Sequence, residues 1–326
     1  MRAFPSTSWL LTTLLALCPV AFAQTYPSKP ITMVVPYPAG GASDFVARQM
    51  QADMGKSLGQ PVVVDNVGGV AGALGVQKML NAPADGYTVT LGSPLELIIT
   101  PLTLSTVKYT PADFKMVGQI VRAPMVLLAR KDLPANTVEE LIALAKTPGA
   151  KPLSAANTGM GSMFHLISEK FSQQTRVPLT HVPYKGGATM ISDIMGGQID
   201  LSFGIFAGSI PGLIAEGKLK AIGLTTKDKL PTHPNLTPLA SLPQLQGFEF
   251  NSWAGIQVPK NTPDAVSARL NKAVYDALQN PEIRKAFEAS GNTVVPPTSL
   301  ADLDKQLKAE VERYQAIAKS INLQPQ

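Results

Sequence analysis

Four stretches place glycines immediately before an expected helix. They are Pro38-Ala39-Gly40-Gly41-Ala42-Ser43-Asp44, Asn66-Val67-Gly68-Gly69-Val70-Ala71-Gly72, Asn157-Thr158-Gly159-Met160-Gly161-Ser162 and Pro183-Tyr184-Lys185-Gly186-Gly187. The first N–H groups of a helix have no partner inside it, and the helix dipole adds partial positive charge at that end. A glycine-rich turn at that place can hold an anion through its backbone, without a lysine. Read singly, each is also an ordinary bend: Gly40 and Gly41 make the first turn, and Ser43 or Asp44 caps the helix after it. In the second, Gly69, Gly72 and Gly75 recur every three residues and read chiefly as close helix–sheet packing.

Enzyme chemistry finds no support in the spacing. His165, His181 and His233 lack metal-ligand spacing, and no HExxH occurs. Gly55-Lys56-Ser57 resembles the end of a P-loop, but Met50 stands where the earlier glycine belongs. Gly159-Met160-Gly161 fits half of GxGxxG, with Phe164 in the last glycine's place. No GxSxG elbow is present. The sequence therefore predicts no catalytic residue, no cofactor and no metal.

The elements that must position these turns alternate. A strand over 31–36 is followed by a helix from about Ser43 with Val46, Met50, Met54 and Leu58 at four-residue spacing. A strand over 61–65, a helix over 70–80 and a strand over 87–91 complete a β-α-β-α-β unit. The pattern restarts with a strand over 125–129 and a helix over 138–146, opened by a Thr137-x-x-Glu140 capping box. A helix ending near 175, strands over 179–182, 200–203 and 220–224, and a helix over 188–195 follow. In the C-terminal third, Thr262-Pro263-Asp264 reads as an N-cap with proline at the first helical position. Val266, Leu270, Val274 and Leu278 form one stripe, and Leu303, Leu307, Val311 and Tyr314 another. The strand-like run over 253–258 is expected to rejoin the first sheet.

The fold class expected is thus α/β, with two lobes of mainly parallel sheet flanked by helices. One lobe takes 24–124 with 227–326, and the other 125–226. Ligands of open α/β sheets bind beyond the carboxyl ends of the strands, so the turns of both lobes are expected to face one cleft.

Composition agrees with a globular chain: 326 residues, 45% hydrophobic and 16% charged. The net charge of +5 comes from scattered lysines, without the basic stripe of a nucleic-acid binder. A single cysteine, Cys18, excludes a disulfide framework. After Arg2, an apolar run from Trp9 to Ala23 is shorter than the roughly 20 residues of a bilayer span. Ala21-Phe22-Ala23 supplies a cleavage signal, so residues 1–23 read as a signal peptide and the mature protein as periplasmic.

The runs Val34-Val35-Pro36-Tyr37-Pro38-Ala39-Gly40-Gly41-Ala42-Ser43-Asp44, Ala84-Asp85-Gly86-Tyr87-Thr88 and His181-Val182-Pro183-Tyr184-Lys185-Gly186-Gly187 resemble the Bug proteins, as does the segment from Gly159 to His165. These are the periplasmic receptors of tripartite tricarboxylate transporters. The resemblance covers essentially the whole chain after residue 23. It implies a type II periplasmic-binding fold closing on a small carboxylate, partly through water. Carried over, Tyr37, Ala39, Gly40, Gly41 and Asp44, with Ser93, line the first jaw. Thr158, Gly159, Gly161, Ser162 and His165 face them, joined by Tyr184, Lys185, Gly186 and Phe203. Asp44, being acidic, is assigned to capping and water-holding. The implied partners are the large and small membrane subunits of the transporter, with no nucleic acid and a monomeric receptor.

The chain departs from the family at Pro94-Leu95-Glu96, at Val67, and at Gly204-Ile205-Phe206. A pocket less polar than that of a citrate or malate receptor is therefore expected, and an aromatic or relatively apolar, terephthalate-like ligand. Two alternatives stay open: an exported enzyme of similar fold, and a receptor feeding an ABC importer or a sensor kinase.

Overall fold

Short β-branched runs build the first half of the protein, seen in a computed structural model that describes residues 26–184, 186–230 and 233–325. The expected signal peptide, its cleavage before Gln24, and Lys185 lie outside these residues. Strands β1 (Ile31–Val35), β2 (Val62–Asn66) and β3 (Thr88–Gly92) are joined by helices α1 (Ala42–Leu58) and α2 (Ala73–Leu80). Val46, Met50, Met54 and Leu58 are buried together, as their spacing requires. α1 ends at Gly59, whose left-handed φ of 77° lets its N–H return to the Gly55 carbonyl.

The expected helix over 70–80 starts differently. Val70 and Ala71 both take φ of 49°, which an α-helix excludes, so Val70–Gly72 is a 3-10 turn and α2 begins only at Ala73. Beyond β3, a π-helical turn (Leu95–Ile99) runs into the short α3 (Thr100–Thr103).

β4 (Phe114–Arg130) is a single strand of 17 residues. Sequence reading finds only its second half, because Gly118, Gln119, Arg122 and Pro124 interrupt the apolar run. Residues 125–129 are all buried, since both faces of the sheet are covered there. α4 (Val138–Ala145), β5 (Leu153–Asn157), α5 (Met163–Thr175), β6 (Leu179–Pro183), α6 (Gly187–Met195), β7 (Leu201–Ile205), α7 (Ile210–Ala215) and β8 (Leu219–Leu224) follow. Thr137 Oγ1 accepts the Glu140 N–H at 3.2 Å, making the expected cap.

The return consists of β9 (Asn251–Pro259), α8 (Asp264–Ala277), α9 (Pro281–Ala289), β10 (Thr293–Val294) and α10 (Leu300–Ser320). Asn280 and Ser299 cap α9 and α10 through their side chains. Thr262 does not cap α8: its Oγ1 is buried without a partner, and Pro263, with ψ of 144°, is the N-cap. The proline thus precedes the first helical residue instead of occupying that place.

The strands form one ten-stranded array in the order β2-β1-β3-β9-β4-β7-β5-β6, with β8 and β10 also on β4. β9 fills the place between β3 and β4, antiparallel to both, so the returning strand does rejoin the first sheet. The register fixes where the turns point. Pro124 pairs with Asn251 and Phe114 with Pro259, while Gly92 at the end of β3 pairs with Gly255. β1, β2 and β3 therefore end toward residue 124 of β4. On the other side, Met125 pairs with Ile205, the last residue of β7, and β5 and β6 run parallel to β7. Their carboxyl ends point back toward the same position. The two sets of post-strand turns face each other across residues 124–125.

Thr225 knits that crossing. Its N–H donates to the Met125 carbonyl at 2.9 Å, its carbonyl accepts the Phe250 N–H at 3.0 Å, and its Oγ1 donates to the Phe250 carbonyl at 2.5 Å. Pro124 cannot donate, but its carbonyl accepts the Phe206 N–H at 2.8 Å. β4 also feeds three apolar clusters. Val117 and Val121 face α1 and α8, Met125 and Leu127 face the Phe171–Phe203–Phe248 group, and Val126 and Leu128 face α6.

Candidate functional site

The turn after β1 is held from below. Gly40 adopts φ of 83°, a value costly for any residue with a Cβ, and Gly41 is the N-cap of α1. Neither Ser43 nor Asp44 is the N-cap; both lie inside the helix. Asp44 reaches back instead. Its Oδ2 accepts the Gly40 N–H and Arg48 Nε, each at 2.8 Å, and its Oδ1 accepts Asn66 Nδ2 at 3.0 Å. Asn66 Nδ2 also donates to the Tyr37 carbonyl at 3.1 Å. Asp44 is only 3% exposed, and these donors, Arg48 foremost, hold its carboxyl down at about 2. The turn is thereby fixed, and the N–H groups of Gly41, Ala42 and Ser43 have no internal acceptor among the described residues. Ala39, Gly40 and Gly41 are exposed.

Next to this turn, Tyr37 Oη and Ser93 Oγ each donate to Glu96 Oε2 at 2.6 Å, and the Ser93 N–H donates to Glu96 Oε1. Glu96 is completely buried, so the residue that departs from the family points inward beneath the turns. Burial pushes its carboxyl upward, and its hydrogen-bond donors pull it back. Burial, then the charge of Glu96, raises the Tyr37 phenol, which keeps its proton.

On the facing side, Asn157 Oδ1 at the end of β5 accepts the Gly159 N–H at 2.9 Å. The Gly161 N–H donates to His165 Nδ1 at 3.0 Å, and Ser162 Oγ caps α5 by accepting the His165 N–H at 3.4 Å. The amides of Gly159 and Gly161 are thus committed to side chains of their own turn. Gly161 has φ of 81°, and a Cβ there would stand 2.7 Å from Thr103 Cγ2 of α3. This turn therefore abuts a segment of the first sheet's side. Thr158 is exposed, Tyr184 Oη donates to Asp193 at 2.6 Å, and Gly186 is the N-cap of α6. The bond to Asp193 pushes the Tyr184 phenol up to about 12.

Phe203 does not reach the turns. It is fully buried, with its ring 5.9 Å from that of Phe171 and 5.8 Å from that of Phe248. Its place in β7 turns it into the core while Ile205, two residues on, ends the strand exposed.

The histidines come together in space although their sequence spacing is unremarkable. His165, Glu169 and His181 offer ligand atoms within 4.8 Å of one another. The Gly161 N–H on His165 Nδ1 fixes the neutral tautomer whose proton is on Nε2, directed to Glu169 at 4.0 Å. A metal at Nε2 would have to displace that proton and reverse the tautomer. Glu169 Oε1 lies 2.6 Å from His181 Nε2, so the acid's near partner is His181, while the Gly161 N–H orients His165, whose ring lies edge-on to His181 at 4.6 Å. Burial, then the neighbouring His181, lowers the His165 imidazole and keeps it neutral.

Four large apolar side chains stay exposed beside these turns: Val70 at 47%, Leu74 at 49%, Met160 at 50% and Ile205 at 37%. They follow or end β2, β5 and β7. Sequence reasoning missed the turn-holding roles of Asn66 and Asn157. The signal was present, since an asparagine ends each strand just before the glycines.

With this geometry in view, comparisons give the family. Residues 46–323 match the tripartite tricarboxylate transporter family receptor, TctC. A protein of Pseudomonas sp. strain P51, described as "UPF0065 protein in tcbD-tcbE intergenic region", is 34% identical over 297 residues, covering 90% of this chain and 87% of that one. The structure of the periplasmic binding protein BugD superposes with a TM-score of 0.75 at 32% identity, covering 92% of this chain and 100% of that one. That of R. palustris Rpa4515 with adipate gives 0.77 at 31%, with the same coverage. The matched family is one of transporter receptors, not enzymes, and the superposed structures share the α/β periplasmic-binding architecture. The chain belongs to the tripartite tricarboxylate transporter receptor family, of the Bug type.

Proposed function

We propose that the facing turns close on one small organic carboxylate in the periplasm and that the closed form delivers it to the membrane subunits of a tripartite transporter. The single observation that carries this reading is the convergence of two sets of post-strand turns on residues 124–125 of β4. The free amides of Gly41 to Ser43 at the start of α1 supply donors and a dipole for the anion. Micromolar binding needs about 8 kcal/mol. A helix-terminus contact supplies roughly 0.3–1 kcal/mol when exposed and up to about 2 kcal/mol when partly buried. One jaw is therefore inadequate, and closure adds both water exclusion and the second jaw. Tyr37, Ala39, Gly41 and Ser93 form the first jaw in this reading; Thr158, Met160, Ser162 and Tyr184 form the second.

The exposed Val70, Leu74, Met160 and Ile205 favour a ligand with an apolar body, terephthalate-like in size. Calorimetric titration of the purified protein against aromatic acids, adipate and citrate tests this. Binding of an aromatic or aliphatic acid in preference to citrate is expected. Preference for citrate overturns the apolar pocket, and binding of no acid overturns the receptor reading for carboxylates. Gly161→Asp is expected to weaken binding at least tenfold, about 1.4 kcal/mol, because its side chain enters the contact with Thr103. Unchanged affinity would remove the turn that carries Gly161 from the second jaw.

A further inference from the structure

Glu96 is the charged side chain nearest the first jaw's hydroxyls, and it is locked in place. Its backbone carbonyl accepts the buried Tyr109 hydroxyl at 2.5 Å. Gly72 lies so close above it that a Cβ there would be 2.7 Å from Glu96 Cβ. These contacts fix the backbone of Glu96 and pack Gly72 against its Cβ, and the donors from Tyr37 and Ser93 hold its carboxyl.

The consequence lies in the protons. Tyr37 Oη and Ser93 Oγ both give their hydrogens to Glu96 Oε2. A hydroxyl has one proton to give. Both side chains are half-buried at the ends of β1 and β3, on the edge that faces the second sheet. Three donors and, among the described residues, no acceptor meet the two Glu96 oxygens, an arrangement that fits a carboxylate despite its burial. Ser93 Oγ already accepts the Leu95 N–H at 3.4 Å, so what the two hydroxyls still offer is their remaining lone pairs, backed by that carboxylate. A second carboxylate of a ligand would meet acceptors and like charge. A neutral donor such as an amide or hydroxyl would be paired.

We infer that Glu96 is a specificity-determining residue: it makes this receptor select an organic acid with one carboxylate and a hydrogen-bond donor at the far end, and reject the matching dicarboxylate. This rests on the carboxylate-receptor reading above and deepens it. The anionic end belongs at the α1 amides, and the far end at Tyr37 and Ser93.

The test uses pairs of equal shape: terephthalate against its monoamide, 4-carbamoylbenzoate, and adipate against adipamate. Like charges held about 8 Å apart at an effective dielectric near 20 give a ratio of about 10–30-fold. The wild-type protein is expected to bind each monoamide tighter than its diacid by about that factor. Glu96→Gln keeps the size of the side chain, removes its charge and offers an amide donor. It is expected to bring each ratio to near unity or reverse it. The wild-type ratio requires no variant, so a misfolded Glu96→Gln, detected by its melting curve, leaves the test standing. Equal or tighter wild-type binding of the diacids overturns the inference while leaving the receptor reading intact. An unchanged ratio in a folded Glu96→Gln also overturns it. Binding of none of the four acids overturns the reading on which both rest.

Discussion

Asp44 puts a negative charge at the base of a turn proposed to hold anions, and its partners explain how. The carboxylate faces the underside of the turn, where Gly40, Arg48 and Asn66 consume its oxygens. It tenses the loop without presenting charge to the cleft. Asp44→Ala is expected to cost about 1–3 kcal/mol, measured by urea unfolding, and to weaken ligand binding as the Gly40 turn loosens. Because its carboxyl is held low, the stabilisation is complete above the ordinary carboxylate range and is lost as pH falls through about 2. Glu310 runs the opposite way. It sits half-buried against Trp253 Nε1 at 2.5 Å, and burial pushes its carboxyl up to about 7. The protonated form therefore favours the folded state, a contribution present below about 4.5 and lost as pH rises through about 7. Trp253 is one of two tryptophans, the other being Trp9. Its fluorescence in protein lacking residues 1–23 is expected to titrate near pH 7, and Glu310→Gln to flatten that curve.

At this scale the glycine turns were legible because backbone need writes itself into residue type. Gly40, Gly159 and Gly161 all take positive φ. The Glu96 network was not legible. Nothing in Ser93-Pro94-Leu95-Glu96 says that the chain will tighten into a π-helical turn and fold the acid under Tyr37, 59 residues earlier in sequence.

Among elements, β4 determines how the two sheets relate. Helices with clean stripes, such as α1 and α10, are visible in the sequence because one face is apolar and the other is not. β4 breaks that rule. Its first half carries Gly118, Gln119 and Arg122, and its pairing with β9 slips in register twice there, between Met116 and Gly118 and between Gln119 and Val121. A strand held by its neighbours rather than by its own pattern reads as a loop until they are known. For the same reason, the expected boundary between residues 124 and 125 falls inside an unbroken strand. Thr225 is where β4, β8 and the approach to β9 are tied. Thr225→Val keeps the shape and removes the hydroxyl that serves the Phe250 carbonyl. It is expected to lower stability by about 1–3 kcal/mol in thermal unfolding, with a larger change in ligand affinity than a core substitution of equal cost remote from the crossing.

For the molecule as a whole, the α/β class and the alternation of elements follow from periodicity in the sequence, whereas the return of the last segment to the first sheet is an inference from the run over 253–258 that the pairing of β9 with β3 and β4 bears out. The facing of the turns does not. It depends on strand directions that only the register reveals, with Gly92 opposite Gly255 and Ile205 opposite Met125. Among the described residues, no helix is long and apolar enough to cross a membrane.

The position of β9 has a consequence for how the chain is made. A central strand of the first sheet is supplied by residues 251–259, long after β3 and β4 have been synthesised. Until it arrives, those two strands border an empty lane with unsatisfied backbone on either side. A nascent chain stopped before residue 250 is thus expected to stay protease-sensitive. A separately produced piece beginning near 247 should restore protection when added. An unfinished polypeptide kept loose in this way remains threadable until its final quarter locks it.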